Sequence, residues 1–191
     1  ELGNLQCHHI IKAHPASVTC NANFDASPET ASVYIVPVST VEETEHYARE
    51  FFASLGYGFD ESRTDIYDET AFYYSDPGDI ILSIDYEGNK IHYNNFACKW
   101  NENDEMIPAN TTATEEEIRT AVKDIGFFIP EGADFDNLEN GTYRFRANCI
   151  LYEDFVYDGQ VNVTYNSLGK IENLDYNIIK CTAYKDFPII T

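Results

Sequence analysis

Residues Val41–Tyr57 read VEETEHYAREFFASLGY, and this stretch decides the fold because it contains a whole amphipathic helix with its start and stop signals. Ser39 or Thr40 can cap the helix, and a glutamate follows three residues later, as in a capping box. Apolar side chains then recur at intervals of three and four, which places them on one helical face. Gly56 supplies the left-handed residue that ends many helices. We therefore predict a helix over Val41–Leu55.

A second stretch repeats this order of signals about seventy residues later. Thr114–Ile125 opens with Thr and three glutamates and ends at Gly126-Phe127. An alternating apolar strand, a glycine turn and a Lys-Ile pair follow in both places, at Ile80–Tyr86 and at Val161–Tyr165. We predict an α+β fold of two related units, each a helix packed on an antiparallel β-meander.

The predicted units are residues 1–100, which include an N-terminal extension, and residues 113–191. The polar segment 101–112 between them is the best candidate for a linker, because it is rich in Asn, Asp and Glu and contains Pro108. Residues 134–141 are predicted to be a loop. Runs of β-branched and aromatic residues predict the strands. They are Ala31–Pro37, Asp65–Tyr74, Ile80–Tyr86, Lys90–Phe96, Thr142–Tyr152, Val156–Tyr165 and Lys170–Tyr184, and a break near Asp68 in the second of them stays open.

Net charge excludes several classes of partner. The chain has 12 basic and 33 acidic residues, which gives a formal charge of −21. Nucleic acids and anionic lipids need clustered Lys and Arg, so neither is an expected partner. A cationic partner, a neutral glycan or divalent cations remain compatible with this charge. A membrane-spanning helix needs about 20 consecutive apolar residues, and no stretch of the sequence comes close to that length. Because the sequence begins at Glu1, we expect that a signal peptide or an N-terminal anchor has been removed.

Motifs for catalysis and for metal binding are missing from the sequence. Soft metal ligands concentrate only at Cys7-His8-His9, His14 and Cys20, whose spacing matches no zinc finger or ribbon. Glycine-rich phosphate loops and serine-nucleophile motifs are absent. We therefore predict no catalytic residue, no metal site and no cofactor, and we predict that the protein is not an enzyme. Of the five cysteines, Cys149 and Cys181 are most simply buried small apolar residues, and a disulfide stays open.

The second half of the chain resembles a known class of regulatory domain. The pattern of a helix, a Gly-aromatic step and then aromatic, glycine and valine positions is similar to the YycI/YycH-type extracytoplasmic domains and, more loosely, to PepSY domains. It covers mainly residues 114–184, with a fainter echo over 41–97. The residues that carry it are Tyr143, Phe145, Tyr157, Gly159, Val161, Val163, Tyr165, Gly169 and Ile171.

This resemblance implies helix-on-curved-sheet repeats outside the cytoplasmic membrane of a Gram-positive-type bacterium. It also implies regulation through protein contact, because YycI-like proteins restrain a sensor kinase and PepSY domains bind or restrain peptidases. The function it implies is that of a non-enzymatic extracytoplasmic binding or regulatory module, secreted or anchored at the cell surface, whose partner is a sensor kinase or a peptidase.

Tyrosines in the first meander suggest an alternative function. Tyr67, Tyr73, Tyr86 and Tyr93 are the candidate binding residues, because tyrosine rings beside carboxylates suit stacking on sugars or capture of cationic peptides. Since side chains alternate along a strand, about half of the rings in this meander must be core. The alternative is a carbohydrate-binding or carbohydrate-acting envelope protein that uses a tyrosine-rich sheet face. An exposed row of aromatic rings would favour this alternative, whereas an exposed sheet edge or apolar patch would favour protein contact.

Overall fold

The computed structural model describes residues 9–10, 30–35, 39–87, 89–153 and 155–188. Within these ranges the chain forms two helices, α1 (Val41–Ser54) and α2 (Glu115–Asp124). The strands in the same ranges are β1 (His9–Ile10), β2 (Thr30–Ile35), β3 (Gly58–Tyr67), β4 (Thr70–Asp76), β5 (Ile80–Asp85), β6 (Lys90–Asn95), β7 (Asp134–Asn137), β8 (Thr142–Tyr152), β9 (Phe155–Tyr165), β10 (Ile171–Tyr176) and β11 (Ile179–Pro188).

Both predicted helices are confirmed to within one residue at each end, because their end signals are local. The Thr40 hydroxyl accepts the backbone N–H of Glu43, and the Glu43 carboxylate accepts the backbone N–H of Thr40 at 2.8 Å. Thr114 and Glu117 make the same pair of bonds at the start of α2. A glycine with positive φ follows each helix, at 83° after α1 and at 93° after α2.

The structure decides one open alternative and corrects two predictions. The alternative of a break near Asp68 within Asp65–Tyr74 is confirmed, because Asp68 takes a positive φ of 50° and a tight turn separates β3 from β4. Residues 134–141 contain β7, although a loop was predicted. Among the described strands, β3 and β7 each pair with a single neighbour. Such edge strands are solvated along one side and therefore lack the apolar alternation by which strands are recognised in a sequence. Lys170–Tyr184 divides into β10 and β11.

The predicted α+β fold of two related helix-on-meander units is wrong. The last strand of the first meander, β6, pairs with β10 of the second, with Leu174 opposite Tyr93 and Tyr176 opposite Ile91. One mainly antiparallel sheet results, whose path runs β1-β2-β11-β9-β10-β6-β5-β4-β3, with β8 and β7 beyond the other side of β9. The two meanders join because each would otherwise expose the unpaired backbone of a strand whose alternate side chains are apolar. The molecule is therefore dominated by a single sheet.

The core lies on one face of that sheet, under both helices. Six residues directly opposite one another on successive strands are each at most 2% exposed, and they lie in one hydrophobic cluster with the buried faces of α1 and α2. They are Tyr73, Leu82, Tyr93, Leu174, Val163 and Tyr143. The neighbouring row, which includes Ser83, His92 and Asp175, points to the opposite face, which we call the outer face.

The segment 101–112 runs along the end of the sheet. Ile107 is 7% exposed and donates its backbone N–H to the Lys99 carbonyl at 3.0 Å. Asn110 donates its backbone N–H to the Tyr165 carbonyl at 2.9 Å, which ties this segment to β9. The division at 101–112 into two folding units stays a prediction.

Candidate functional site

Two of the four candidate tyrosines are core residues. Tyr73 is 0% exposed and Tyr93 is 2% exposed. The Tyr73 hydroxyl lies 2.8 Å from the hydroxyl of Thr44 on α1, and the Tyr93 hydroxyl accepts a hydrogen bond from the Asn95 amide at 2.9 Å. Burial raises the pKa of Tyr93 to about 12. These two rings hold α1 against the sheet and are not accessible to a partner in this structure.

The other two candidate tyrosines lie together at one end of the first meander. Tyr67 ends β3 and is 66% exposed, and its ring meets Phe72 edge-on with centroids 5.9 Å apart. Tyr86 follows β5 and donates its hydroxyl to the Asp68 carbonyl in the β3–β4 turn at 2.7 Å. The Tyr86 backbone N–H also binds the Glu69 carbonyl at 3.1 Å. The turn Asp68-Glu69 is therefore fixed between the two tyrosines.

Carboxylates concentrate at the same end of the meander. Repulsion from Glu87 is the main cause that raises the pKa of Glu69, and Asp85 and Asp68 act in the same direction. The pair Asp68-Glu69 carries no specific signal in the sequence, because a chain with 33 acidic residues contains many such pairs. Only the β3–β4 turn and its contact with the residues after β5 bring these groups together. This end of the sheet is strongly electronegative.

Strand β3 forms an open edge of the sheet, which we call the β3 edge (residues 58–67). Among the described strands it pairs only with β4, and the pairing shifts register between Phe59 and Thr64. The shifted part is held by side chains: Arg49 of α1 binds Glu61, and the Arg63 guanidinium lies 3.6 Å from the centroid of the Tyr74 ring. Beyond the shift, residues 64–67 pair with β4 without interruption, and we call them the straight part of the β3 edge.

The straight part of the β3 edge offers backbone groups to a further strand. Tyr67 and Thr70 flank the two-residue turn, so they form the hydrogen-bonded pair that closes the hairpin. Bonded and outward-pointing residues alternate along a strand, so the N–H and C=O groups of Ile66 and Thr64 point away from β4. The Ile66 side chain is 51% exposed. An extended peptide could pair with these groups as an added strand.

A polar groove of about 310 Å³ on the outer face is lined by a serine, a histidine and an aspartate, the residue types of a hydrolytic triad. The His92 ring nitrogen Nδ1 lies 2.5 Å from Asp175 Oδ1, and Ser83 lies opposite His92 on the neighbouring strand. No hydrogen bond joins Ser83 to His92 within the described residues, so the contact that activates a serine nucleophile is not formed.

Burial is the main influence on the pKa values of the three cysteine thiols that the structure describes, those of Cys98, Cys149 and Cys181. Cys181 is 0% exposed, and burial raises the pKa of its thiol and that of Cys98 to about 11. The Cys149 thiol lies 3.6 Å from an Asp158 carboxylate oxygen, and burial also raises its pKa. Cys181 is thus a buried small residue as predicted, whereas Cys149 is only half-buried at the surface of the same cluster. High thiol pKa values disfavour the reactive thiolate.

Metal ligands do not converge in the part of the chain that the structure describes. No group of three or more His, Cys, Asp or Glu side chains in these ranges could hold a metal ion. The ligands that the sequence offered at Cys7, His8, His14 and Cys20 lie outside the described residues, and of His9 only the backbone in β1 is described. The prediction of no metal site stays a prediction.

The comparisons with known proteins identify no relative. No protein-family model, no curated protein and no solved structure matches this chain. The resemblance to YycI/YycH-type and PepSY domains therefore stays a prediction, as does the extracytoplasmic location that it implies. Neither described helix combines the length and the apolar character that crossing a bilayer requires.

Proposed function

We propose that this protein is a non-enzymatic binding module that captures an extended, basic segment of a partner protein at the β3 edge. A location outside the cytoplasmic membrane and a sensor kinase or a peptidase as the partner belong to the same proposal, through the resemblance of residues 114–184. The observation that carries it is the open β3 edge itself, whose straight part ends in the exposed side chains of Ile66 and Tyr67.

Strand addition explains why this edge is suited to binding. Main-chain hydrogen bonds to the outward groups of Thr64 and Ile66 would supply affinity, and alternate side chains of the added strand would meet the exposed side chains of β3. The shifted part of β3 is held to α1 through Arg49 and Glu61, so the straight part is presented on a rigid support. Little conformational freedom is then lost by this protein when a peptide pairs with it.

Charge selects the partner. With a net charge of −21, the protein repels another acidic chain and attracts a basic one at long range. The local field has the same sign, because Glu69 is surrounded by Glu87, Asp85 and Asp68 and its pKa is raised. The exposed ring of Tyr67 next to this turn can also accept a cation on its face. A second copy of this chain would place like charges together at the edge, so a basic segment is the better occupant.

The carbohydrate alternative at the tyrosine-rich face has less support. Tyr73 and Tyr93 are buried, so the four candidate rings do not form an exposed row. The outer face beside them carries mainly polar side chains, including Ser83, His92 and Asp175. The open edge is the feature that favours protein contact.

Titration with designed peptides tests the proposal. An eight-residue peptide that alternates Lys with Thr is added to isotope-labelled protein, and a Glu-for-Lys peptide serves as the charge-reversed probe. We expect backbone amide shifts centred on residues 64–67 with the basic peptide and none with the acidic one. If the shifts lie elsewhere, or if both peptides act alike, the proposal is wrong.

Two variants at one position separate strand addition from side-chain contact. Ile66→Pro removes an outward N–H without removing a bond to β4, and proline is tolerated in edge strands. Ile66→Thr keeps this N–H and a β-branched side chain while removing apolar surface. We expect Ile66→Pro to abolish the shifts and Ile66→Thr to weaken them only slightly. Equal loss in both variants would contradict pairing through the backbone.

A further inference from the structure

A second surface, far along the sheet from the β3 edge, combines aromatic rings with a fixed guanidinium. It is a groove of about 350 Å³ between α2, the loop after α2 and the end of β8, and we call it the Phe128 groove. This volume lies in the range of small-molecule sites, about 300–1,000 Å³. The residues that line it are Glu115, Arg119, Phe128, Ile129, Glu131, Gly132 and Tyr152.

Phe128 is an exposed ring that the structure holds in place. It is 42% exposed, yet its ring packs against Tyr152 and Tyr157 with centroid distances of 5.6 and 5.2 Å. The Phe128 carbonyl also accepts a hydrogen bond from the Tyr176 hydroxyl at 2.8 Å. Tyr157 is 7% exposed, so the ring cluster continues from the core to the surface. A flat apolar platform that is fixed from below can stack on a ligand with little entropy cost.

Arg119 is the second fixed element of the Phe128 groove. Its Nε donates to Glu115 at 2.7 Å, while Nη1 donates to the carbonyls of Ile129 and Pro130 and Nη2 to that of Ala133 at 3.2 Å. A guanidinium has five N–H donors, so four bonds leave one N–H on Nη2. The Arg119 side chain is 26% exposed and lines the groove, so its guanidinium is partly desolvated there.

Charge in the groove favours a neutral ligand. Glu115 neutralises Arg119 through a direct ion pair, and Glu131 adds a carboxylate on the rim. The carboxylates oppose an anion, and a cation offers no acceptor for the remaining N–H of Arg119. A ligand with one apolar face and several hydroxyl groups satisfies all of these features together. A Cβ built on Gly132 would have no heavy atom within 4 Å, so the mouth of the groove is open there.

We propose that the Phe128 groove binds a neutral saccharide. The C–H face of one sugar ring stacks on Phe128, one hydroxyl accepts the remaining N–H of Arg119, and another donates to the Glu131 carboxylate. This site differs from the tyrosine-rich face considered from the sequence, because it is built from the loop after α2 and from the end of β8. It does not depend on peptide binding at the β3 edge.

Saturation-transfer NMR with three neutral disaccharides, chitobiose, cellobiose and maltose, tests this inference. We expect transfer to at least one of them at about 10 mM, tenfold above the roughly 1 mM Kd of a weak site. Tetramethylammonium is added as a cationic probe of the same rings. The proposal is overturned if no saturation is transferred to any of the three sugars. It is also overturned if tetramethylammonium is the one probe that receives saturation.

Variants assign the binding to the groove without disturbing the fold. Arg119 joins α2 to the following loop, so its replacement could unfold the protein, whereas Phe128 and Glu131 are exposed. We expect Phe128→Ala to weaken binding by about tenfold or more and Glu131→Gln by about threefold, the scale of one lost stacking contact and one lost charged hydrogen bond. Leu168→Ala is the matched control, since Leu168 is a 65% exposed apolar side chain outside the groove. An equal loss in this control overturns the assignment.

Discussion

Two regions of the sheet begin with the same local signals but pack their helices differently. The first region is α1 with β3–β6, and the second is α2 with β7–β10. Helix α1 buries Phe51 and Phe52, and the Phe51 ring meets those of Tyr93 and Phe127 at 5.9 and 5.6 Å. Helix α2 buries aliphatic Ile118 and Val122. Identical end signals therefore determine where a helix begins and ends, but not what it packs against.

The regions also differ in how tightly their strands are enclosed. In the first region β3 pairs with one of the described strands, β4, and with none of them on its other side. In the second region β9 pairs with β8 along one side and with β10 and β11 along the other. The chain between β10 and β11 passes directly over Gly159, and a Cβ at that position would lie 2.0 Å from the Asn177 carbonyl oxygen. An open edge permits binding, whereas the enclosed strand supplies rigidity.

The largest expected loss of stability comes from adding a side chain at Gly159 in the enclosed strand β9. Gly159 has a φ of 118°, so Gly159→Ala combines backbone strain with a clash against the Asn177 backbone. Strain of about 1–3 kcal/mol and overpacking of about 1–3 kcal/mol together predict a loss of about 4 kcal/mol in the free energy of unfolding. Urea denaturation measures it.

Matched controls for this change are Gly56→Ala and Gly126→Ala. Each of these glycines has a positive φ but no heavy atom within 4 Å of an added Cβ. Only the left-handed penalty of about 1–2 kcal/mol applies, and it should be equal in the two regions. If Gly159→Ala costs no more than these controls, the close approach over β9 is not a real constraint.

Two buried tyrosines give the next largest difference between the regions. The Tyr143 hydroxyl donates to the Asn110 carbonyl and accepts the backbone N–H of Ala113, whereas the Tyr73 hydroxyl meets Thr44, which also bonds to the Val41 carbonyl. Tyr143→Phe leaves a buried N–H unsatisfied and should cost about 1–3 kcal/mol. Tyr73→Phe should cost about 1 kcal/mol or less, because Thr44 keeps a partner. Equal free energies of unfolding for the Tyr143→Phe and Tyr73→Phe variants would contradict this distinction.

Removing the N-cap side chain should destabilise the protein equally in the two regions. Thr40→Ala and Thr114→Ala each remove the side chain that accepts the N3 backbone N–H. We expect each change to lower the free energy of unfolding by about 1 kcal/mol. Serine at either position keeps the hydroxyl and should restore nearly all of the loss. A large inequality between the two caps would show that packing, and not the local signal, maintains one helix.

The smallest effects are electrostatic and opposite in sign. The pKa of Glu69 is raised by Glu87, so its repulsion is absent at low pH and destabilises the fold as the pH rises through that pKa. Glu69→Gln should therefore raise Tm at pH 7 and change it little at about pH 3. The pKa of Glu117 is lowered by the backbone N–H of Thr114, so its contribution is present at neutral pH and is lost on acidification. Glu117→Gln should lower Tm at pH 7, and the same sign for both variants would refute the assignment.

The local part of this fold is predictable because its signals lie within a few residues. Thr40 and Gly56 bound α1, and Thr114 and Gly126 bound α2, as the sequence indicates. Strand β8 is predicted with the bounds that it has. Alternation along β4 places Phe72 and Tyr73 on opposite faces, but it does not say which face the helices cover. For that reason the candidate binding residues included Tyr73, which is a core residue.

The site depends on contacts that no local pattern encodes. The β3 edge is invisible to apolar alternation because its residues are solvated along one side. The Phe128 groove was missed because Arg119 reads as an ordinary charged residue of an exposed helical face, and only the carbonyls of the following loop fix it. A second aromatic residue, the exposed Phe128, follows the buried Phe127 directly after the helix-ending glycine, and this Phe-Phe pair is the one signal that could have indicated the groove.

By itself, the sequence determined the two helices with their caps, the net acidity, and, within two residues, the bounds of β2, β5, β6, β8 and β9. The tertiary structure alone decided that both meanders join through β6 and β10 into one sheet, and which tyrosines are buried. The pair His92 and Asp175 shows why, since 83 positions separate these residues along the chain. Helix caps and tight turns gain their free energy from neighbours in sequence, whereas strand pairing of this kind depends on the burial of a shared apolar face by the whole chain.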